Sequence, residues 1–199
     1  MNVLFLGPKD SNLIQFIKSL GDTIFVMEDK LILSFLESNH IDFVVSYGYR
    51  HIIKQDVLSK ISDKIINLHI SFLPWNRGAD PNFWSFIDDT PKGVTIHYMD
   101  AGIDTGDIIV QKEIFFSESE TLSSSYNKLK DEIEELFRKH WPKIRIGTCG
   151  RIKQSGNGTF HKTIDKKSFE YLLENGWETP VAVLVNPGIK NPENLKKTC

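Results

Sequence analysis

Short apolar runs and helically spaced apolar residues alternate through the first seventy positions of the chain. Residues 2–6 (NVLFL) are an apolar run that ends in Gly7-Pro8 and read as a strand. Leu13, Phe16, Ile17 and Leu20 then recur at helical spacing, with Asp10 or Ser11 in position to cap the helix. Residues 23–27 (TIFVM) read as a second strand, 31–36 as a short apolar helix and 42–47 (DFVVSY) as a third strand closed by Gly48. Residues 52–61 are helix-like, and 64–70 (KIINLHI) form a fourth strand. Strands alternating with short helices predict an α/β fold: a mostly parallel twisted sheet covered by helices on both faces.

After residue 70 the pattern changes. Residues 71–82 (SFLPWNRGADPN) carry two prolines and a glycine among polar turn formers, so an ordered loop is expected, followed by a helical turn over 82–88. Two β-rich segments, 93–99 (GVTIHYM) and 108–116 (IIVQKEIFF), flank a loop at 100–107 that holds Gly102, Gly106 and three aspartates. Leu122, Tyr126, Leu129, Ile133, Leu136, Phe137 and Trp141 recur every three or four residues and predict a long helix from Glu120 or Thr121. Pro142 should kink or end it, and Gly147 is its latest stop. Its polar face, with Lys128, Lys130, Asp131, Glu132, Glu134 and Glu135, reads as solvated. Residues 156–162 suggest a hairpin or loop, 165–173 a short helix capped at Asp165, and 186–199 a loose tail. The chain therefore divides into a core of residues 1–150 and a short C-terminal extension, 151–199, packed on it.

Composition narrows the classes. The chain has 199 residues, 24 basic against 26 acidic, a net charge of -2, and 40% hydrophobic residues, all ordinary for a soluble folded protein. No apolar run reaches ~18 residues, so no membrane span is expected, and the N-terminus lacks the basic segment and cleavage pattern of a signal peptide. Near-neutral charge without a basic block argues against a nucleic-acid partner. Two cysteines, Cys149 and Cys199, build neither a disulfide framework nor a Cys-rich zinc site and fit a cytoplasmic setting.

In an open parallel sheet, ligands bind beyond the carboxyl ends of the strands. Asn67 and His69 sit at such an end, and period-two alternation puts them on the same side of their strand. His97 lies late in the next β segment, and Asp104 and Asp107 lie in the glycine-containing loop. An amide can donate to a developing oxyanion, an imidazole can move protons, and a carboxylate can orient and bias the imidazole. The set holds no nucleophile of its own, which points to a nucleophile carried by the substrate. A two-histidine, one-carboxylate metal site of a hydrolase, from His69, His97 and Asp104, is the alternative; it leaves Asn67 without a role.

These residues carry a family resemblance. Asn67-Leu68-His69-Ile70-Ser71-Phe72-Leu73-Pro74, then Arg77-Gly78, then Gly93-Val94-Thr95-Ile96-His97, then Asp104-Thr105-Gly106-Asp107 resembles the signature of folate-dependent formyltransferases. The resemblance implies a Rossmann-like formyltransferase core, 10-formyltetrahydrofolate as formyl donor and a catalytic set that maps onto Asn67, His69 and Asp104. It implies a folate pocket built by Tyr49, Arg50, His51, Ile52 and Ile53 together with Met99, Asp100 and Asp104, and no resident metal. A module that binds folate without chemistry would not need Asn67, His69 and Asp104 together.

Within the family, the loop 73–86 and the 90–93 segment most resemble sugar N-formyltransferases and the formylation domains of peptide synthetases. The resemblance thus implies a small amine acceptor, a nucleotide-linked amino sugar, in a cytoplasmic enzyme that is open to pairing as a homodimer. Trp75, Arg77, Trp84, His97 and Tyr126 are the candidate acceptor contacts. Alternatively both tryptophans pack the loop and Arg77 pairs with Asp80. Glycinamide ribonucleotide is a competing acceptor, but the first loop has one glycine and places Asp10 where a phosphate would sit. Methionyl-tRNA enzymes carry a further C-terminal barrel for which the extension leaves no room.

Overall fold

Strand β1 (Asn2–Leu6) is flanked in parallel by β2 (Thr23–Met27) and β3 (Phe43–Ser46), and β3 pairs in parallel with β4 (Ile65–His69). With β6 (Gly93–Tyr98) and β7 (Ile108–Glu113) they form a six-stranded sheet ordered β2-β1-β3-β4-β6-β7. This computed structural model describes residues 1–185. The expected loose tail at 186–199 lies outside them. The mostly parallel sheet is as predicted, with one departure: β6 runs antiparallel to β4.

The chain forms two compact units. Met1–His69, Thr95–Val110 and Ile133–Gln154 make the first; Ile70–Val94, Gln111–Glu132 and the stretch from Ser155 make the second. In the first unit, helix α1 (Asn12–Ser19) starts at Ser11, whose hydroxyl accepts from the Leu13 N–H at 3.3 Å. Asp10 is therefore outside the cap. Helix α2 (Leu33–Ser38) begins two residues later than its apolar pattern suggests. Leu31 is held outside it, because its N–H donates to the Tyr49 hydroxyl at 2.8 Å. Helix α3 (Gln55–Lys60) is shorter than predicted. The apolar faces of α2 and α3 bury Leu36, Val57 and Leu58 with Leu4, Leu6, Val44 and Ile65 of the sheet.

The long helix α5 spans Leu122–Ile144, and Pro142 sits inside its last turn without ending it. Gly147, at φ 70°, then turns the chain. In the first unit Trp141 is fully buried. It stacks on Phe137 with centroids 5.1 Å apart and meets Phe43 edge-on at 5.1 Å. Glu134 departs from the solvated face expected of it. It is buried, accepting from the Tyr47 hydroxyl at 3.2 Å and from Arg138 at 2.9 Å, because it lies at the margin of the apolar stripe.

In the second unit, helix α4 (Pro81–Ile87) and the first turns of α5 enclose a core of Phe83, Trp84, Phe86, Ile87 and Leu122, completed by Val181 and Leu184 of helix α6 (Val181–Leu184). Buried Asn82 donates to the Leu122 carbonyl and the Ser125 hydroxyl, both at 3.1 Å. The 156–162 stretch is a loop, as one of the two readings has it, apart from two residues. Its residues Phe160–His161 form β8, which pairs in parallel with β5 (Arg77–Gly78). A partner that remote leaves no local pattern. Asp165 is not the N-cap residue of the following helix but closes its capping box from the third position. Thr163–Leu172 is a 3-10 helix, and Asp165, three residues in, accepts the Lys162 N–H at 2.7 Å.

Replacing Trp141 with alanine should cost about 3–5 kcal/mol of stability. Replacement with phenylalanine should cost clearly less, because the buried indole N–H has no acceptor among the described residues. Chemical denaturation of both variants checks the difference.

Candidate active site

The β4–β6 register builds the polar centre. Asn67 stands directly opposite His97, and His69 opposite Thr95, while Leu68 faces Ile96 in the alternate position. Asn67 and His69 therefore share one face of β4, as the alternation predicts, and His97 joins them from the neighbouring strand. The Asn67 Nδ2 lies 3.2 Å from Asp104 Oδ1 and 3.5 Å from His97 Nε2. His69 Nδ1 is 3.9 Å from Asp104 Oδ2, and His97 Nε2 is 3.5 Å from Asp104 Oδ1. The rings of His69 and His97 stand perpendicular, with centroids 6.2 Å apart. His97 and His69 are buried.

The protons in this cluster follow from its partners. The Tyr98 carbonyl can only accept, so the His97 Nδ1 at 2.7 Å carries a hydrogen. In the neutral ring Nε2 is then an acceptor, and the Asn67 amide must turn its NH2 toward it and toward the Asp104 carboxylate. The centre thus presents an amide donor and an imidazole held against one carboxylate.

The loop after β6 holds Asp104 in place by backbone means. Asp104 is in the left-handed region at φ 52°, a conformation that Asp tolerates better than most residues. Asp100 Oδ1 accepts from the Gly102 N–H at 3.0 Å and the Thr105 hydroxyl at 2.6 Å. Gly106 lies so close to β6 that a Cβ there would fall 1.9 Å from the Tyr98 carbonyl oxygen. Gln154 clamps the loop from outside: its Nε2 is 2.8 Å from the carbonyl oxygens of both Asp104 and Gly106. Sequence reasoning missed Gln154. Its only signal is a lone amide beside the Gly-rich 156–158 turn.

Of the residues assigned to a folate pocket, Tyr49 holds the Leu31 N–H and donates to the Asp29 carbonyl at 2.7 Å, and its ring packs on the core cluster with Met99. Burial raises its hydroxyl pKa, with Leu31 opposing and Asp29 adding to the shift, so it stays a phenol at neutral pH. Ile53 is in the same core; Arg50, His51 and Asp100 are exposed. Ile52 is 80% exposed and Ile103 48%, one aliphatic side chain held out of the core on each of the two segments. Of the acceptor contacts, Trp84 is 3% exposed, with its ring stacked on His161 at 3.9 Å, so it packs the second unit. Trp75 and Arg77 are half-buried there. Asp80 pairs with Lys166 at 3.0 Å. Tyr126 is exposed against Trp177.

The sequence model of the family described as formyl transferase matches residues 25–140, more than half of the chain. The chain belongs to the formyl transferase family. A methionyl-tRNA formyltransferase of Clostridium botulinum is 33% identical over 141 residues, 70% of this chain and 46% of that protein. The chain thus spans about half the length of the curated relatives it matches. Among solved structures it is similar to the formyltransferase PseJ from Anoxybacillus kamchatkensis, in complex with UDP-4,6-dideoxy-4-formamido-L-AltNAc and tetrahydrofolate. That match has 47% identity and a TM-score of 0.91, covering 96% of this chain and 100% of the other. The sugar 3-N-formyltransferase WlaRD, in the presence of dTDP and 5-N-formyl-THF, is 25% identical with a TM-score of 0.69, covering 83% and 70%.

Family membership replaces the metal-hydrolase alternative. Among the described residues no group of three His, Cys, Asp or Glu is placed to hold a metal ion, and none of the helices is long and apolar enough to cross a membrane.

In this formyl transferase, Gln154→Leu removes both hydrogen bonds to the 104–106 backbone while conserving volume. Amide exchange measured by mass spectrometry should speed up over residues 102–107 and stay unchanged over β1 and β3. Uniform protection across the chain would show that the clamp carries no local order.

Proposed function

We propose that this chain transfers a formyl group from 10-formyltetrahydrofolate to the amine of an amino sugar linked to a uridine nucleotide. The observation that carries the reading is the 47% identity, end to end, with PseJ and its bound UDP-sugar and tetrahydrofolate. The geometry of the first loop supports a sugar over glycinamide ribonucleotide. Gly7 gives its N–H to the Met27 carbonyl at 3.1 Å, Ser11 caps α1, and Lys9 pairs with Glu28 at 3.4 Å. That loop spends its donors internally instead of cradling a phosphate.

The residues of the folate segments fit the donor. Two segments that each hold an isoleucine out of the core offer apolar contact to a ring system, and the 99–103 backbone offers polar groups beside it. Arg50, His51, Ile52 and Met99 to Asp104 would hold it. Bound there, the donor supplies a formyl carbon open to attack by an amine.

One Nδ2 hydrogen of Asn67 leaves Asp104 Oδ1 and is donated to the oxyanion that develops on the formyl oxygen, while the other stays with His97. His69 adds positive charge to that position and passes a proton toward the departing nitrogen. Asp104, 3.9 Å from His69, favours the charged imidazole and takes the proton that the attacking amine loses. His97 holds the Asn67 amide in its orientation from the opposite strand.

Incubation with 10-formyltetrahydrofolate and a panel of UDP-linked amino sugars should give products heavier by one formyl group. Transfer to methionyl-tRNA or to glycinamide ribonucleotide, with none to any amino sugar, would reject the reading. Asn67→Ala should lower kcat about 100- to 1000-fold with little change in Tm, since the loss of an oxyanion donor acts on the transition state. A thermal scan beside the kinetics separates that loss from unfolding.

A further inference from the structure

The second unit contains a cavity of about 340 Å3 built entirely from its own residues, at the starts of α4 and α5 and the 166–177 stretch. Phe83 and Leu122 give it an apolar wall, and Tyr126 and Trp177 line it as well. These two aromatics are not packed away as two of the other tryptophans are. Trp84 and Trp141 are buried, whereas Trp177 is 55% exposed and Tyr126 38%. Their rings meet edge to face at 5.4 Å, an arrangement that cannot cover the faces of both. The 3-10 turn Gly176–Glu178 carries Trp177 to this position.

Charge in the cavity is limited to one pair. Lys166 Nζ sits 3.0 Å from Asp80 Oδ1, 5.1 Å from the Phe83 ring centre and 5.9 Å from that of Trp177. Three contacts thus fix the ammonium beside the aromatic floor. An occupant that matches this lining is flat, has a π face, carries few hydroxyls within the apolar part and bears negative charge at one end. A hexose fits poorly, because each hydroxyl buried here would need a polar partner. A nucleobase attached to phosphate fits: bases stack on aromatic side chains without needing edge contacts, and a lysine serves phosphate as a point charge.

We propose that this cavity is the nucleoside subsite of the acceptor, with the base against Trp177 and Tyr126 and Lys166 directed to the phosphate. The proposal rests on the reading of the acceptor as a nucleotide-linked sugar. It places the stacking on Tyr126, already a candidate acceptor contact, and on Trp177, in place of Trp75 and Trp84.

Isothermal titration of the full chain with UMP, UDP and uridine tests it. Trp177→Ala should weaken UMP and UDP about ten- to a hundredfold, Trp177→Phe by less, and Tyr126→Leu in the same direction. Lys166→Met should weaken UMP and UDP, leave uridine unchanged and flatten the salt dependence of UMP binding. Equal UMP affinity in the wild type and all four variants would overturn the subsite while leaving the nucleotide-sugar reading intact. So would a Trp177→Ala variant that loses a free amino sugar but keeps UMP. A wild-type chain that binds neither UMP nor UDP would overturn both. Trp177→Phe and Tyr126→Leu keep an apolar side chain at each position, so a loss they share with Trp177→Ala is not a loss of folding.

Discussion

Asn67 faces His97 across two antiparallel strands, and the chemistry of the centre depends on that register. A slip of one residue would send every side chain of β4 to the opposite face of the sheet. What resists the slip is the apolar half of the same strands. Ile66, Leu68 and Ile96 are almost wholly buried. Burying each side chain of this size is worth about 1.5–3 kcal/mol, so the three together outweigh any one hydrogen bond in the polar cluster. The apolar face sets the pairing, and the polar face inherits its geometry. Asn67, His69 and His97 can thus be aimed at a substrate without themselves holding the strands in place.

Asp104 reaches the cluster by a different route, since no strand carries it. A left-handed residue, a glycine pressed against the Tyr98 carbonyl, the Asp100 turn and the Gln154 clamp restrict the loop one after another. Each of these acts on the main chain of the loop. The carboxylate is therefore placed by main-chain geometry, while the amide and imidazoles are placed by a sheet.

Much of this was legible in the sequence, for physical reasons. Strands β1 to β4 each show as a compact apolar run, and Asn67 with His69 follows from period-two alternation. The loop aspartates announce themselves through their glycines. What stayed hidden depends on remote partners. Leu31 looks helical until the Tyr49 hydroxyl takes its N–H. Glu134 looks solvated until Tyr47 and Arg138 meet it. Trp84 looks available until His161, from the far end of the chain, covers its ring. Gln154 occupies a stretch without periodicity, where neither spacing nor composition separates a working side chain from a turn.

The pairing of β5 with β8 has a consequence for how the protein is made. Asn76 and Thr159, which lock the two strands at their start, are 83 residues apart in the chain. Strands β1 to β4, by contrast, all lie within the first 69 residues. During synthesis the parallel half of the sheet can assemble while the ribosome is still at work. The 70–94 loop and its helix must wait for nearly the entire described chain before Thr159 and His161 arrive. Over that interval Phe83, Trp84 and Phe86 have no finished core to enter. The second unit is therefore the part of the molecule most exposed to aggregation at birth, and the part for which a chaperone would matter most.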